Sequence, residues 1–195
     1  DTGLYLSLLL RPRQMQPQHA TRITTMAALA ACEAIEAVTQ QQPQIKWVND
    51  IFLEGKKVCG ILTEGSFNLE TGQLDDVVVG VGFNVYPPAG GFPPEIAEIA
   101  DSILQKQHSG TKNKLAAAFL NFFFQIYRGE NDYASAYRAR SMVIGKSIVV
   151  STPTASRNAS ALDIDRDCRL IVRYEDGSIA SLSSAEVSIR TEGMR

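Results

Sequence analysis

Residues 77–85 read VVVGVGFNV, and this run limits the fold more than any other part of the chain. Five of the nine are valine, whose branched Cβ restricts χ1 and favours a pleated strand over a helix. A polar turn at 68–73 (NLETGQ) precedes the run. After it comes 87–94 (PPAGGFPP), where four prolines and two glycines in eight residues exclude regular structure. Period-two alternation puts Gly80 and Gly82 on one face, with Asn84 beside them. Glycine weakens a strand interior. The pair therefore implies either a bulge or tight sheet packing, or the close approach of a ligand to the backbone. The Asn84 amide could read a nucleobase edge or a phosphate.

The rest of the chain supplies partners for this strand. Residues 4–10 (LYLSLLL), bounded by Gly3 and Pro12, read as a buried strand. Pro17 opens a helix whose apolar face is Ile23, Met26, Ala27, Ala30, Ala34, Ile35 and Val38; it stops before Pro43. Strands follow at 45–47, 51–53 and 58–67, with 54–56 (EGK) as a turn. Leu115, Phe119, Phe122, Phe123 and Ile126 mark an amphipathic helix, and 133–142 continues helically. From Val143 the pattern changes to short strands at 147–151, 159–163, 170–174, 178–181 and 187–190. Five short strands in under fifty residues suggest a small β-barrel. The expected fold is α+β: a mixed sheet backed by helices over 1–142, then the barrel over 143–195.

Composition narrows the function classes. A net charge of −2 gives no basic footprint for nucleic acid or an anionic membrane. Three cysteines without a CxxC pair argue against a disulfide framework and a structural zinc site, and fit a reducing, cytoplasmic setting. No apolar run approaches the roughly 18–20 residues that span a bilayer. Two distant histidines leave no Ser-His-Asp or Cys-His arrangement. The chain opens on Asp1 rather than methionine, which leads us to expect a piece of a longer protein.

Chemistry concentrates in 46–64, KWVNDIFLEGKKVCGILTE. Lys46, Asn49 and Asp50 sit at the end of one strand and its exit. Lys57 starts the returning strand, so a hairpin brings it towards them. A lysine at the mouth of the apolar run 58–62 can hold a point charge over a partly dry pocket, where it stabilises phosphate or oxyanion charge. Asp50 either holds a magnesium ion or orients a lysine. The 80–85 stretch is not GxGxxG, because Val85 stands where the third glycine belongs. Nor does 145–147 (GKS) end a P-loop, since Arg140 occupies the required glycine position.

These motifs, in this order and spacing, resemble the biotin–protein ligase (biotin–acetyl-CoA-carboxylase ligase) family. KWVND is similar to the family's KWPND, GKKVCGILTE to its KK-(I/L)-AG-(I/V)-LVE strand, and VVVGVGFNV to its VxGxGxN strand. The opening Gly3-Leu4-Tyr5-Leu6-Ser7 resembles the strand after the family's Arg/Gly-rich loop, and 185–190 (AEVSIR) resembles the end of its small barrel. The resemblance implies a class II synthetase-like ligase domain followed by an SH3-like barrel. It also implies a two-step reaction. Biotin and ATP, with magnesium, give biotinoyl-AMP and pyrophosphate. The adenylate then acylates a lysine of the biotin carboxyl carrier domain of acetyl-CoA carboxylase.

By position, the resemblance assigns Lys57 to the biotin carboxylate and activated phosphate, with Lys46, Asn49 and Asp50 around the phosphates and metal. It assigns Gly60, Leu62, Gly80, Gly82 and Phe83 to biotin, and Asn84, Glu186 and Arg190 to the nucleotide. Val48 stands where the family has proline, Cys59 where it has alanine, Thr63 where it has valine, Phe83 where it has isoleucine, and Ala185 where it has glycine. The family's Gly-Arg-Gly-Arg loop would precede Asp1, so the expectation is a chain inactive or very weak by itself. Lipoate–protein ligase, of the same superfamily, and a non-catalytic ligase-like binding module are the competing readings. Trp47 and the 60–64 strand favour biotin over lipoate. A sheet edge is available for pairing with a carrier domain or a second copy as a homodimer.

Overall fold

The computed structural model describes residues 2–12, 20–68, 70, 72–129, 132–151, 155–183 and 188–191. The first sheet holds β1 (Gly3–Leu10), β2 (Gln44–Lys46), β3 (Asp50–Leu53), β4 (Lys56–Phe67) and β5 (Leu74–Asn84), in the order β1-β5-β4-β3-β2. Every ladder between these strands is antiparallel. Among the described residues, parallel pairing is confined to isolated bridges, Ile45 with Ser141 and Lys57 with Ala100. The expected mixed sheet is mixed only to that extent.

One face of this sheet is covered and the other is open. Val77, Val79, Val81 and Phe83 of β5, with Cys59 and Ile61 of β4, point to the covered face and are buried. Against them packs α1 (Ala20–Thr39), the helix between the sheet and α2 (Thr111–Tyr127). Its alanines at 27, 28, 30, 31 and 34 are fully buried, and such small side chains let one helix approach layers on two sides. Phe119 meets Phe83 edge-on with centroids 5.9 Å apart, and Phe123 stacks on Phe119. Pro17, expected to open α1, lies outside the described residues.

A third helix, α3 (Tyr133–Ala139), is shorter than the helical segment expected over 133–142. The reason is a competing partner. Ile45 N–H donates to the Arg140 carbonyl (2.8 Å), and Met142 N–H donates to the Ile45 carbonyl (3.0 Å), so Ser141 bridges to β2 and the helix does not continue. Trp47, expected inside the strand over 45–47, follows β2 in a turn.

The second sheet holds β6 (Ser147–Ser151), β7 (Ser156–Ile164), β8 (Leu170–Tyr174), β9 (Ile179–Leu182) and β10 (Ser188–Thr191), in the order β10-β6-β7-β8-β9. Ile148, Val150, Ala161, Leu170 and Val172 form its buried side and join the same apolar cluster as the first sheet and α1. The α+β class is as expected. Among the described residues no helix is long and apolar enough to cross a membrane.

Candidate functional site

The open face of the first sheet carries a trough of about 420 Å³. Its floor follows from register. Tyr5 pairs with Gly82, Gly82 with Gly60, and Gly60 with Asp50, so one row crosses four strands. At about 4.8 Å between strands, that row spans roughly 14 Å. The neighbouring row is Ser7, Gly80 and Leu62. Three glycines thus leave the backbone bare, with Tyr5 and the 63%-exposed Leu62 as walls.

Two of these glycines have a measurable steric reason. A Cβ on Gly82 would lie 3.3 Å from Cδ1 and Cε1 of the Tyr5 ring. A Cβ on Gly60 would lie 3.2 Å from Cε and 3.3 Å from Nζ of Lys57. Gly80 meets only the Leu62 carbonyl, at 3.6 Å, so its bareness serves the open space rather than protein packing.

The charged end is built by the β3–β4 hairpin. Glu54 (φ 50°) and Gly55 (φ 80°) form a two-residue turn with both central residues left-handed, the geometry that matches strand twist. A register shift between Ile51 and Phe52 then lets Lys57 reach back to Asp50, and the Lys57 ammonium lies 2.5 Å from Asp50 Oδ1. The pair is part-buried, so its field is less screened than a surface pair's. The Lys57 backbone is held as well. Its N–H donates to Ile99 (2.8 Å) and its carbonyl accepts from Asp101 (3.0 Å).

Asn49 and Lys46 complete this end. The Asn49 side chain donates to the Ile61 carbonyl at 2.7 Å, and Ile61 N–H donates to the Asn49 carbonyl at 3.0 Å. Lys46 pairs with Asp50 across the ladder, its ammonium 5.8 Å from the Phe52 ring centroid. Lys46 and Lys57 thus stand on either side of Asp50, one on β2 and one on β4.

The structure thus brings together Asn49, Asp50, Lys57, Gly60, Leu62, Gly80 and Gly82 around one cavity. Asn84 shares the face but lies outside the lining, opposite Gly3. Phe83 is a correction. Its side chain is fully buried against Phe119 on the covered face, because alternation turns it away from Gly82. Arg190 lies in β10, paired with Val149, and Glu186 lies outside the described residues. Asp50 sits on Lys57, and among the described residues no group of three His, Cys, Asp or Glu could hold a metal. Tyr5 and Ser7 escaped notice in the sequence. Their signal was the alternation of 4–10, which sets them opposite Leu4, Leu6 and Leu8.

Comparison with known proteins gives the family of the chain. The biotin/lipoate A/B protein ligase family matches residues 1–84, and the biotin protein ligase C terminal domain matches 143–190. The chain is similar to the bifunctional ligase/repressor BirA of Bacillus spizizenii, with 31% identity over 96% of this chain and 58% of that protein. It therefore spans less than two thirds of that relative. It is also similar to the biotin–[acetyl-CoA-carboxylase] ligase of Paracoccus denitrificans, with 30% identity over 88% of this chain and 74% of that protein. The fold is that of the biotin protein ligase from Aquifex aeolicus (TM-score 0.80, 21% identity, 98% of this chain and 83% of that one). With the Lys57–Asp50 hairpin, the glycine floor and the second sheet all in the matched segments, the chain belongs to the biotin protein ligase family.

Proposed function

We propose that the protein carrying this chain activates biotin with ATP and transfers it to a lysine of a biotin carboxyl carrier domain. A biotin carboxylate oxygen attacks the α-phosphorus of ATP, and pyrophosphate leaves. The carrier lysine amine then attacks the acyl carbon, AMP leaves, and the amine gives up a proton. The observation that carries this reading is the bare glycine floor ending at the Lys57–Asp50 pair. An apolar trough suits an uncharged bicyclic ring, and a fixed ammonium at its end suits the carboxylate and the charge that develops at phosphorus.

In this assignment Lys57 is the catalytic cation, steadied by Asp50. Lys46 and Asn49 attend the phosphates. Gly60, Leu62, Gly80 and Gly82 receive biotin, while Asn84 and Arg190 approach the nucleotide. Magnesium would be held chiefly by nucleotide phosphates and water, with Asp50 the nearby carboxylate, and would neutralise phosphate charge. The chain divides into a ligase unit over 1–142 and a β unit over 143–195. The setting is cytoplasmic, and an edge of the first sheet receives the carrier domain or a second copy.

The test is calorimetric titration of the chain with biotinoyl-AMP, alongside Lys57→Ala. Binding that weakens at least about tenfold in the variant supports the assignment, a difference of about 1.4 kcal/mol. Equal binding by both removes Lys57 from its role. No binding by the chain, nor by a longer form of the protein, overturns the reading.

A further inference from the structure

We infer that the 165–169 loop of the second sheet is a positioning element for the Asp50–Lys57 pair, acting through Trp47. The loop closes on itself around one carboxylate. Asp165 Oδ1 accepts from the backbone N–H groups of Asp167 and Arg169, both at 2.9 Å. Cys168 N–H donates to the Asp165 carbonyl (2.9 Å), and Asp165 N–H donates to the Arg169 carbonyl (3.0 Å). These bonds hold Cys168 at φ 60°, a left-handed conformation that a non-glycine residue keeps only when its surroundings impose it.

The carbonyl of Cys168 accepts the indole N–H of Trp47 at 2.8 Å, in a buried hydrogen bond between residues 121 apart in the chain. From Trp47 the constraint runs residue by residue. The Val48 carbonyl accepts the Tyr137 hydroxyl at 2.9 Å, also buried. Asn49 is locked to Ile61 through both its backbone and its amide. Asp50 follows, and its carboxylate meets Lys57. Three successive residues are thus fixed by three different elements, and the next one orients the lysine. Buried hydrogen bonds of this kind are costly to leave unmade, so they specify one geometry. No residue of 165–169 lines the trough, so the loop positions rather than contacts.

The test uses the full-length protein with Asp165→Ala, Asp165→Asn and, as reference, Asp50→Asn. Acylation of Lys57 relative to Lys56 by acetic anhydride, read by mass spectrometry, reports whether the ammonium is still held. A hydrogen-bonded ammonium acylates slowly. The expected result is a Lys57/Lys56 ratio raised about threefold in Asp165→Ala, in the direction of Asp50→Asn. Asp165→Asn keeps an acceptor oxygen and returns the ratio to the parent value. In biotin-dependent ATP–pyrophosphate exchange, which rests on the proposed function, Asp165→Ala lowers kcat/KM for biotin and Asp165→Asn restores it.

The inference is overturned if Asp165→Ala folds and leaves the labelling ratio at the parent value, or if Asp50→Asn itself does not raise it. Should Asp165→Ala fail to fold, Trp47→Phe removes the same indole donor and is judged by the same ratio. Altered labelling with no exchange in the parent protein would sink the proposed activity while the positioning stands.

Discussion

The ring of Tyr5 covers Gly82: a Cβ there would stand 3.3 Å from both Cδ1 and Cε1. The same ring excludes a side chain at Gly3, where a Cβ would lie 2.8 Å from Cε2 and Oη. Tyr5 is 76% exposed and still has a defined place, because two glycines on neighbouring strands make room for it.

Gly82→Ala is therefore a test of the trough more than of the fold. The exposed ring can swing aside, so stability should change by less than about 0.5 kcal/mol. The added methyl occupies the floor, and biotin affinity should fall roughly tenfold or more. Gly80→Ala meets no protein atom closer than 3.6 Å, so any affinity it loses reports on the ligand alone. Thermal melts and calorimetry on both variants check this.

Lys57→Ala should lower adenylate formation by about 10²–10³-fold, the scale for removing one preorganised donor from developing charge. Its effect on the melting temperature should be small, since the Lys57 side chain is 40% exposed and its pair with Asp50 is only part-buried. Lys57→Arg should not restore activity. Its planar fork is bulkier than the ammonium, and the end of the Lys57 side chain already lies 3.2–3.3 Å from where a Cβ on Gly60 would stand. Single-turnover adenylation followed beside a thermal melt separates the two effects.

Phe83→Ala should behave in the opposite way. The side chain is fully buried and packs edge-on against Phe119, so its removal should cost about 3–5 kcal/mol. Biotin affinity of the protein that remains folded should be unchanged. Urea unfolding with parallel titration distinguishes this core role from a pocket role.

The thiols predict an alkaline limit to stability. Burial pushes Cys32 from its ordinary 9.0 up to about 12, and Tyr133 from 10.0 up to about 12. Both groups stay protonated in the folded chain while the unfolded chain ionises. Their contribution is complete below pH 9 and is lost as pH rises towards about 12. Urea melts between pH 8 and 11 should show the midpoint falling only above pH 9. A thiol reagent at pH 8 should find Cys32, Cys59 and Cys168 unreactive until the chain unfolds, since all three are free and buried.

What the sequence determined by itself is local. The valines of 77–85 and the glycines between them specify a strand with one bare face, because pleat alternation depends only on neighbours. The left-handed pair at Glu54 and Gly55 closes a hairpin and puts Lys57 at a strand mouth for the same reason. Even the burial of Phe83 was written in that alternation. Tertiary structure decided which strand lies beside which. Tyr5 meets Gly82 only through β1–β5 pairing, and Trp47 meets Cys168 only because the 165–169 loop of the second sheet reaches the turn after β2. The helix over 133–139 stops short of 142 because the Arg140 carbonyl and the Met142 N–H bond to Ile45 instead. Such contacts join residues tens of positions apart, and they depend on how buried surfaces and unpaired backbone groups find partners in space. No periodicity along the chain records that choice.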